Sequence, residues 1–445
     1  MKVLKFGGTS VGSAESIRTV RNIIDTQDGR KIVVVSAMSG VTNKLVEIYA
    51  ALKRTDFDTI DQLLLELKMK HLQLIEELIT SPHDKSATED LFLELFSQLE
   101  ETLQDSSAAE AAVVTFGESF LSLIFSRFLE EQGVSNTLLD AKHFMHVDNV
   151  ENPGISTVKS LLREVLQREV TSEVYVTQGF VRLDRNKNIS TLNRGGSDYT
   201  ATIIGAAVNA TEVQIWTDID GFHNNDPRYV ENTSALTQLT FEEAAELAYF
   251  GAKILHPQTV SPAKERNIPI YLKNTFTPEA AGTCISNRYH SMGLKAISAK
   301  DGITAIKIKS NRMLMAHGFL KKIFDVFDKH ETAIDMITTS EIAISLTIDD
   351  TRNLDKILYE LDEYGEITVD ANHSIICVVG EGLIDDRDTF KLFTLLNDLP
   401  VRMISYGGSK NNISLLVDTQ NKVQALRLLH QKFFKNIESN LVAQS

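Results

Sequence analysis

Val3-Leu4-Lys5-Phe6-Gly7-Gly8-Thr9-Ser10-Val11-Gly12 opens the chain with a short apolar run and a glycine pair, and a segment of helical period follows from Ser13 to Asp25. Strand, tight turn and helix in that order are the first half of a β-α-β unit, so the stretch predicts an α/β layered domain with a mostly parallel sheet. Working outward, strand candidates recur at Ile32 to Ser36, Ala112 to Phe116, Thr137 to Asp140, Val174 to Gln178, Val213 to Thr217 and Pro269 to Lys273. Helical segments alternate with them at Phe120 to Gln132, Thr157 to Arg168, Tyr199 to Val208, Phe241 to Tyr249 and Gln258 to Arg266. From Leu52 to about Leu103 the alternation is interrupted: Leu63, Leu67, His71, Leu74 and Leu78 repeat every three to four residues, which reads as an inserted helical hairpin held by plain packing.

The chain has 445 residues, more than one core usually serves. Its 45 Lys plus Arg stand against 60 Asp plus Glu, a formal charge of −15 that argues against a surface built to cover nucleic acid phosphates. A 43% hydrophobic and 24% charged composition is that of a chain that buries cores. The amino terminus reaches Gly7-Gly8 too soon for a secretory apolar stretch, and no run of about 18 apolar residues suggests a membrane span. Two cysteines, Cys284 and Cys377, make no disulfide framework, so a cytoplasmic setting is expected.

After about Gly293 the pattern changes and repeats itself. Met336-Ile337-Thr338, followed by Ile344-Ser345-Leu346-Thr347-Ile348, returns about 70 residues later as Met403-Ile404-Ser405, followed by Ile413-Ser414-Leu415-Leu416-Val417. A helical segment precedes each copy (Leu320 to Lys329, Thr389 to Leu396) and another follows (Leu354 to Leu361, Lys422 to Phe433). This order predicts two ferredoxin-like α+β domains.

Four segments carry chemistry. In Lys5 to Gly12 the glycines let backbone N–H groups approach a phosphate that Lys5 could reach, although a plain strand-to-helix turn reads equally well. In Thr191-Leu192-Asn193-Arg194-Gly195-Gly196-Ser197-Asp198-Tyr199, Arg194 offers a fork for a carboxylate and Ser197 a donor, while Asp198 reads either as a functional carboxylate or as a helix N-cap. Both loops leave the carboxyl end of a strand, the edge where open parallel sheets hold ligands. In Thr217-Asp218-Ile219-Asp220-Gly221-Phe222-His223, Asp218 and Asp220 could hold Mg²⁺, and Arg228 after Asp226-Pro227 could meet phosphate, unless the segment is only a turn. Lys253, in Gly251-Ala252-Lys253-Ile254-Leu255-His256-Pro257, would by itself read as a solvated surface charge.

Taken together with Ser36-Ala37-Met38-Ser39-Gly40-Val41-Thr42-Asn43 and Phe116-Gly117-Glu118, these segments stand in the order found in aspartate kinases, which the chain resembles over nearly its whole length. The resemblance implies a three-layer αβα amino-acid-kinase domain with a mostly parallel sheet over 1–292. A regulatory region over 293–445 would then hold two ACT repeats, the first at about 302–370 and the second at about 371–445 plus a strand near 294–300. It also implies an ATP-dependent phosphotransferase that takes Mg²⁺ and ATP and phosphorylates the β-carboxylate of L-aspartate. Carried over by position, Lys5, Gly7, Gly8 and Asp198 would act on the transferring phosphoryl group. Thr42, Glu118, Arg194 and Ser197 would hold the amino acid. Lys5, Gly8, Ser10, Thr217, Asp218, His223, Arg228 and Lys253 would line the nucleotide. Asn193 replaces a glycine common in the family before Arg-Gly-Gly, and His223 stands where a tyrosine is common.

In the regulatory half, the resemblance implies an effector site of Met315, Gly318, Phe319, Leu320, Asp335, Ser340 and Glu341, with L-lysine as the expected inhibitor and threonine the alternative. It further implies a homodimer through the ACT repeats, with a tetramer as a further pairing, while charge and the lack of long apolar runs leave neither nucleic acid nor membrane as an expected partner. Two rival functions stay open: a kinase for glutamate or acetylglutamate, and a catalytically silent amino-acid sensor. A fused homoserine dehydrogenase is not expected, because a dinucleotide-binding domain needs on the order of 100 further residues after the repeats.

Overall fold

Strands β1 (Lys2–Phe6) and β2 (Lys31–Val35) are buried almost throughout, as apolar strands covered on both faces should be, and α1 (Ala14–Asp25) makes the crossover between them. Ser13 caps α1 in a reciprocal capping box with Ser16, which ends the glycine turn where the helical period begins. The computed structural model describes residues 1–168, 172–192, 195–251, 255–288, 291–310, 313, 317–395 and 399–434. By its internal packing the chain forms two units, one of Met1–Phe222, Thr237–Phe241 and Leu255–Arg288, the other of His223–Leu236, Glu242–Ile254 and Tyr289–Ser445.

The elements continue as α2 (Val41–Lys53), α3 (Phe57–Leu78), α4 (Pro82–Gln104), α5 (Glu110–Val114), α6 (Phe116–Glu131), β3 (Asn136–Leu139), α7 (Ile155–Arg168), β4 (Val174–Gln178), β5 (Val181–Leu183), β6 (Ile189–Thr191), α8 (Gly196–Val208), β7 (Val213–Thr217), β8 (Gln238–Thr240), α9 (Phe241–Tyr249), α10 (Ser261–Glu265), β9 (Ile270–Asn274) and β10 (Thr283–Ser286). In the first unit the sheet runs β3-β4-β2-β1-β7-β9-β10-β8, and every pairing is parallel except β9 with β10. The expected parallel layer is therefore present. Strand alternation sends Leu4 and Phe6 into a core shared with α1, α2, α3, α4 and α6, so Lys5 faces the other way, toward the side of β1 on which α8 packs. The insertion is the expected helical hairpin, α3 and α4, and it is fused into that core through Leu67, Phe92 and Phe96. His71 is fully buried there, stacked on Phe92 and edge-on to Phe120.

One strand expectation fails. Ala112 to Phe116 is helical, the end of α5 running into α6. A short buried apolar run has the same composition in either state, and here Thr115 Oγ1 donates to Ala111 O one turn back, a bond that belongs to a helix. The stretch Glu110–Glu131 is apolar and long enough to cross a bilayer, but Phe120, Leu121, Ile124, Phe125, Phe128 and Leu129 are core residues.

The second unit carries β11 (Gly293–Lys309), α11 (Phe319–Lys329), β12 (Met336–Thr339), β13 (Ala343–Ile348), α12 (Leu354–Leu361), β14 (Glu366–Glu381), α13 (Lys391–Leu395), β15 (Val401–Ser405), β16 (Asn412–Asp418) and α14 (Lys422–Phe433). Both copies of the repeat are present, joined in one antiparallel sheet of order β12-β13-β11-β14-β16-β15. The two long strands do the joining. β11 pairs with β13 only from Thr304 to Lys309, while β14 pairs with β16 only from His373 to Val379, so each long strand serves both halves. Register shifts on β11 between Lys300 and Ala305 mark the change of partner. Each half keeps its own apolar cluster, Ile306 to Leu361 in one and Ile376 to Phe434 in the other.

Candidate active site

Four strands of the first unit, β4, β2, β1 and β7, end side by side, and their carboxyl ends deliver Gly179, Ser36, Gly7 and Thr217 to one edge of the sheet. A cleft of about 820 Å³ opens there, lined among others by Lys5, Gly8, Thr42, Glu118, Ser197 and Asp198. Lys5 Nζ stands 2.5 Å from Asp198 Oδ1, and both side chains are about nine-tenths buried. Asp198 is not the N-cap of α8. That position is Gly195, left-handed at φ 76°, which leaves Asp198 two residues inside the helix and facing Lys5. The N-cap reading therefore falls, and the carboxylate is paired with Lys5 instead.

Glu118, on α6, is the second buried carboxylate of the cleft. Its Oε1 accepts from Ala37 N at 3.3 Å and its Oε2 has no partner, so burial pushes the carboxyl up to about 8 against the pull of that N–H and of Lys5. A buried carboxylate with one open oxygen is an incomplete arrangement that an ammonium group would complete. Thr42, at the start of α2, and Ser197, at the start of α8, add hydroxyl groups to the wall.

Not every expected residue is free for a ligand. The Gly7 amide donates to Trp216 O at 3.0 Å, which commits it to the sheet, so that of the Gly7-Gly8 pair it is Gly8 that lines the cleft. Ser10 is fully buried, its Oγ donating to Trp216 O and sharing a 2.7 Å bond with Thr275 Oγ1, so its hydroxyl fixes the turn rather than facing the cleft. Thr217 Oγ1 donates to Asp218 Oδ1 at the end of β7. In the second unit, His223 Nδ1 lies 3.0 Å from Thr233 Oγ1, and Arg228 grips Asp226 through both Nε and an Nη, its side chain largely exposed. Asn193, Arg194 and Lys253 lie outside the described residues.

Sequence reasoning missed Gly179 and Phe180, the second of which lines the cleft. A Cβ on Gly179 would sit 2.5 Å from Ser197 Oγ, so only glycine lets the start of α8 come this close to the end of β4. Phe180 is left-handed at φ 68°, rare for a bulky residue, and its N–H is held by Thr200 Oγ1. The available signal was Gln178-Gly179-Phe180 at the end of an apolar strand.

The expected effector residues are divided along β12. Asp335 precedes the strand and Ser340 and Glu341 follow it, so one extended strand, about 16 Å, separates them within one chain. Gly318 (φ 80°), Phe319 and Leu320 form the start of α11, with Phe319 buried and Leu320 exposed. Ser340 Oγ accepts from Ala343 N in the β12–β13 turn, Glu341 is exposed, and Met315 lies outside the described residues.

The amino acid kinase family model matches residues 1–274, and an ACT domain model matches 376–433. Chloroplastic aspartokinase 3 of Arabidopsis thaliana is 34% identical over 99% of this chain and 83% of that protein. The chain belongs to the aspartokinases of the amino acid kinase family. The lysine-sensitive aspartokinase 3 of Escherichia coli K12 is 31% identical, over 97% of this chain and 99% of its own. A crystal structure of E. coli aspartokinase III with aspartate and ADP, in the R-state, superposes with a TM-score of 0.85 at 29% identity, covering 98% of this chain and all of that one. The cleft with the Lys5–Asp198 pair lies within the part of the chain that the kinase family model spans.

Proposed function

We propose that this chain transfers the γ-phosphoryl group of ATP to the β-carboxylate of L-aspartate, giving 4-phospho-L-aspartate and ADP. The observation that carries the reading is the Lys5–Asp198 pair set in one cleft with the half-satisfied carboxylate of Glu118. The attacking carboxylate is already ionised at neutral pH, so no base need remove a proton. One of its oxygens forms the new bond to the γ-phosphorus, the bond from that phosphorus to the bridging oxygen breaks, and the electron pair leaves with ADP. Catalysis reduces to holding the two anions in line and offsetting their charge.

In this reading Lys5 neutralises the transferring oxygens while Asp198 fixes its ammonium. Glu118 takes the substrate ammonium on its open Oε2, and Thr42, Ser197 and Arg194 take the α-carboxylate. Gly8 lets the phosphoryl group approach the chain, and Thr217, Asp218, His223, Arg228 and Lys253 serve the nucleotide. Mg²⁺ arriving on the phosphates would supply further charge neutralisation, and the carboxylate oxygens of Asp198 and Asp218 are donors of the kind it prefers. A coupled ADP-release assay offering aspartate, glutamate and N-acetylglutamate in turn tests the substrate. Turnover with aspartate alone is expected, and turnover with acetylglutamate instead would replace this reading.

The paired repeats support feedback inhibition, with L-lysine as effector, as the name of the E. coli relative suggests. Residues 1–292 would act as the kinase and 293–445 as the sensor, in a cytoplasmic homodimer. The separation of Asp335 from Ser340 and Glu341 along β12 favours an effector site completed across two copies. The exposed Leu320, Phe324, Ile337 and Ile342 supply apolar surface for that pairing. Sedimentation with and without lysine tests it: dimers are expected, and a monomer in both conditions would remove the shared site.

A further inference from the structure

Helix α9 presents three side chains at a spacing of three residues, Glu243, Glu246 and Tyr249, which share one face. Within the second unit each is bonded to a different part of the regulatory sheet. Glu243, fully buried, pairs with Lys295 of β11 at 2.8 Å. Glu246 Oε2 accepts from Asn412 Nδ2 of β16 at 2.7 Å. Tyr249 Oη donates to Asp335 Oδ1, just before β12, at 2.8 Å. Two residues beyond the helix, Gly251 has a positive φ of 125°, and a Cβ there would collide with the backbone of Ala299 on β11. One short helix is thus fastened to both repeats.

The Asp335 carboxylate is crowded on one oxygen and empty on the other. Oδ1 takes Tyr249 Oη and also Lys300 Nζ at 2.7 Å, while Oδ2 is buried with no partner. Lys300 has a second carboxylate, Asp349 Oδ2, at 2.9 Å, and its ammonium lies over the Tyr249 ring at 4.3 Å. If Asp335 turns toward a new cation, Lys300 keeps Asp349, but the Tyr249 hydroxyl loses its bond. The end of α9 is the part that comes free.

We infer that Tyr249 and the ammonium group of a basic amino-acid effector compete for Asp335, so that effector binding unfastens the carboxyl end of α9. This rests on the reading of Asp335 as an effector ligand and adds how its occupation leaves the sensor. Two residues after Tyr249 the chain enters Gly251-Ala252-Lys253, of which Lys253 is proposed above to serve the nucleotide, and His256 follows, whose Cβ lies near Gly195 at the start of α8. Tyr249, Glu246 and Glu243 are therefore positioning residues: they touch no substrate and act through the segment that α9 leads into.

The test uses the full-length protein and Tyr249→Phe, which keeps the ring beneath Lys300 and removes only the hydroxyl. With Asp335 freed from that competitor, the half-inhibitory lysine concentration should fall about tenfold, while kcat without lysine stays within about twofold. A half-inhibitory concentration that is unchanged or higher would overturn the inference. Wild-type protein that ignores lysine altogether would instead remove the effector assignment itself, so the two failures are distinct. Glu246→Ala, which cuts the tie to β16 without touching Asp335, should raise KM for ATP about fivefold and leave KM for aspartate alone, with Glu246→Gln restoring it. Equal changes in both KM values, or no rescue by glutamine, would count against a positioning role.

Discussion

Lys5 and Asp198 sit on different elements, β1 and α8, yet meet at 2.5 Å where strand alternation turns Lys5 away from the apolar core and toward the first turn of that helix. The pair holds an ammonium in place before any phosphate arrives, so no reorganisation is needed during transfer. Asp198→Asn keeps the shape and removes the charge that orients Lys5. Its kcat should fall about 10²- to 10³-fold with KM for aspartate little altered, and Lys5→Ala should fall at least as far. Steady-state kinetics checks this, and a change confined to KM would place the pair outside the chemistry.

Glu118 makes the cleft pH-sensitive. Its carboxyl is raised by burial to about 8, above the ordinary value of 4.5. The folded state therefore holds this proton more tightly than the unfolded chain. The stabilisation is fully present below 4.5 and is lost as pH rises through about 8. Binding an ammonium requires the ionised form, so aspartate should expel close to one proton from the enzyme at pH 7. Calorimetry in buffers of different ionisation enthalpy measures that proton. Glu118→Gln should abolish the release and weaken aspartate binding at least tenfold, whereas a wild-type enzyme releasing none would mean the group is already ionised.

Gly179 carries no chemistry but sets where Ser197 stands. Gly179→Ala would place a methyl group 2.5 Å from Ser197 Oγ and displace the first turn of α8. KM for aspartate should rise more than in Ser197→Ala, by about tenfold or more, because Asp198 moves too. Comparing the two single variants and the double variant decides this: if Gly179→Ala adds nothing to Ser197→Ala, the displacement does not occur.

His71, buried among Phe92 and Phe120, is depressed to about 4, chiefly by desolvation. Here the sign is opposite to that of Glu118. The neutral ring favours the fold above the unfolded value of 6.5, and that stability is lost as pH falls toward 4. His71→Phe should flatten the decline of melting temperature below pH 6.5, and Phe120→Ala, which hollows the same cluster, should cost about 3–5 kcal/mol. Thermal unfolding from pH 4 to 8 checks both, and an unaltered acid slope in His71→Phe would assign the decline to other groups.

Much of this architecture was legible because period and punctuation agree. At Val3 to Asp25 an apolar run, a glycine pair and a capped amphipathic helix all name the same unit, and the duplicated Met-Ile-Thr/Ser blocks announce the regulatory repeats before any contact is known. Ala112 to Phe116 misled because a five-residue buried run carries no period long enough to separate strand from helix. The sharing of β11 and β14 between the repeats was hidden for another reason: which strands pair across a sheet depends on contacts far apart in sequence. In the site, charged residues in glycine-rich loops stood out, and Lys5, Glu118 and Asp198 do line one cleft. Ser10 and Gly7 looked the same in sequence but face inward, since only the fold decides which loop donors are spent on Trp216. Tyr249 and Gly179 escaped notice because their importance lies in what they approach.

The most direct measurement is to trap the acyl phosphate with hydroxylamine and identify the hydroxamate by mass. With Mg-ATP and L-aspartate the wild-type protein should yield aspartate β-hydroxamate, suppressed by L-lysine and reduced at least about 10²-fold in Asp198→Asn. No hydroxamate from aspartate, or an undiminished yield from Asp198→Asn, would contradict the assignment of this cleft to phosphoryl transfer.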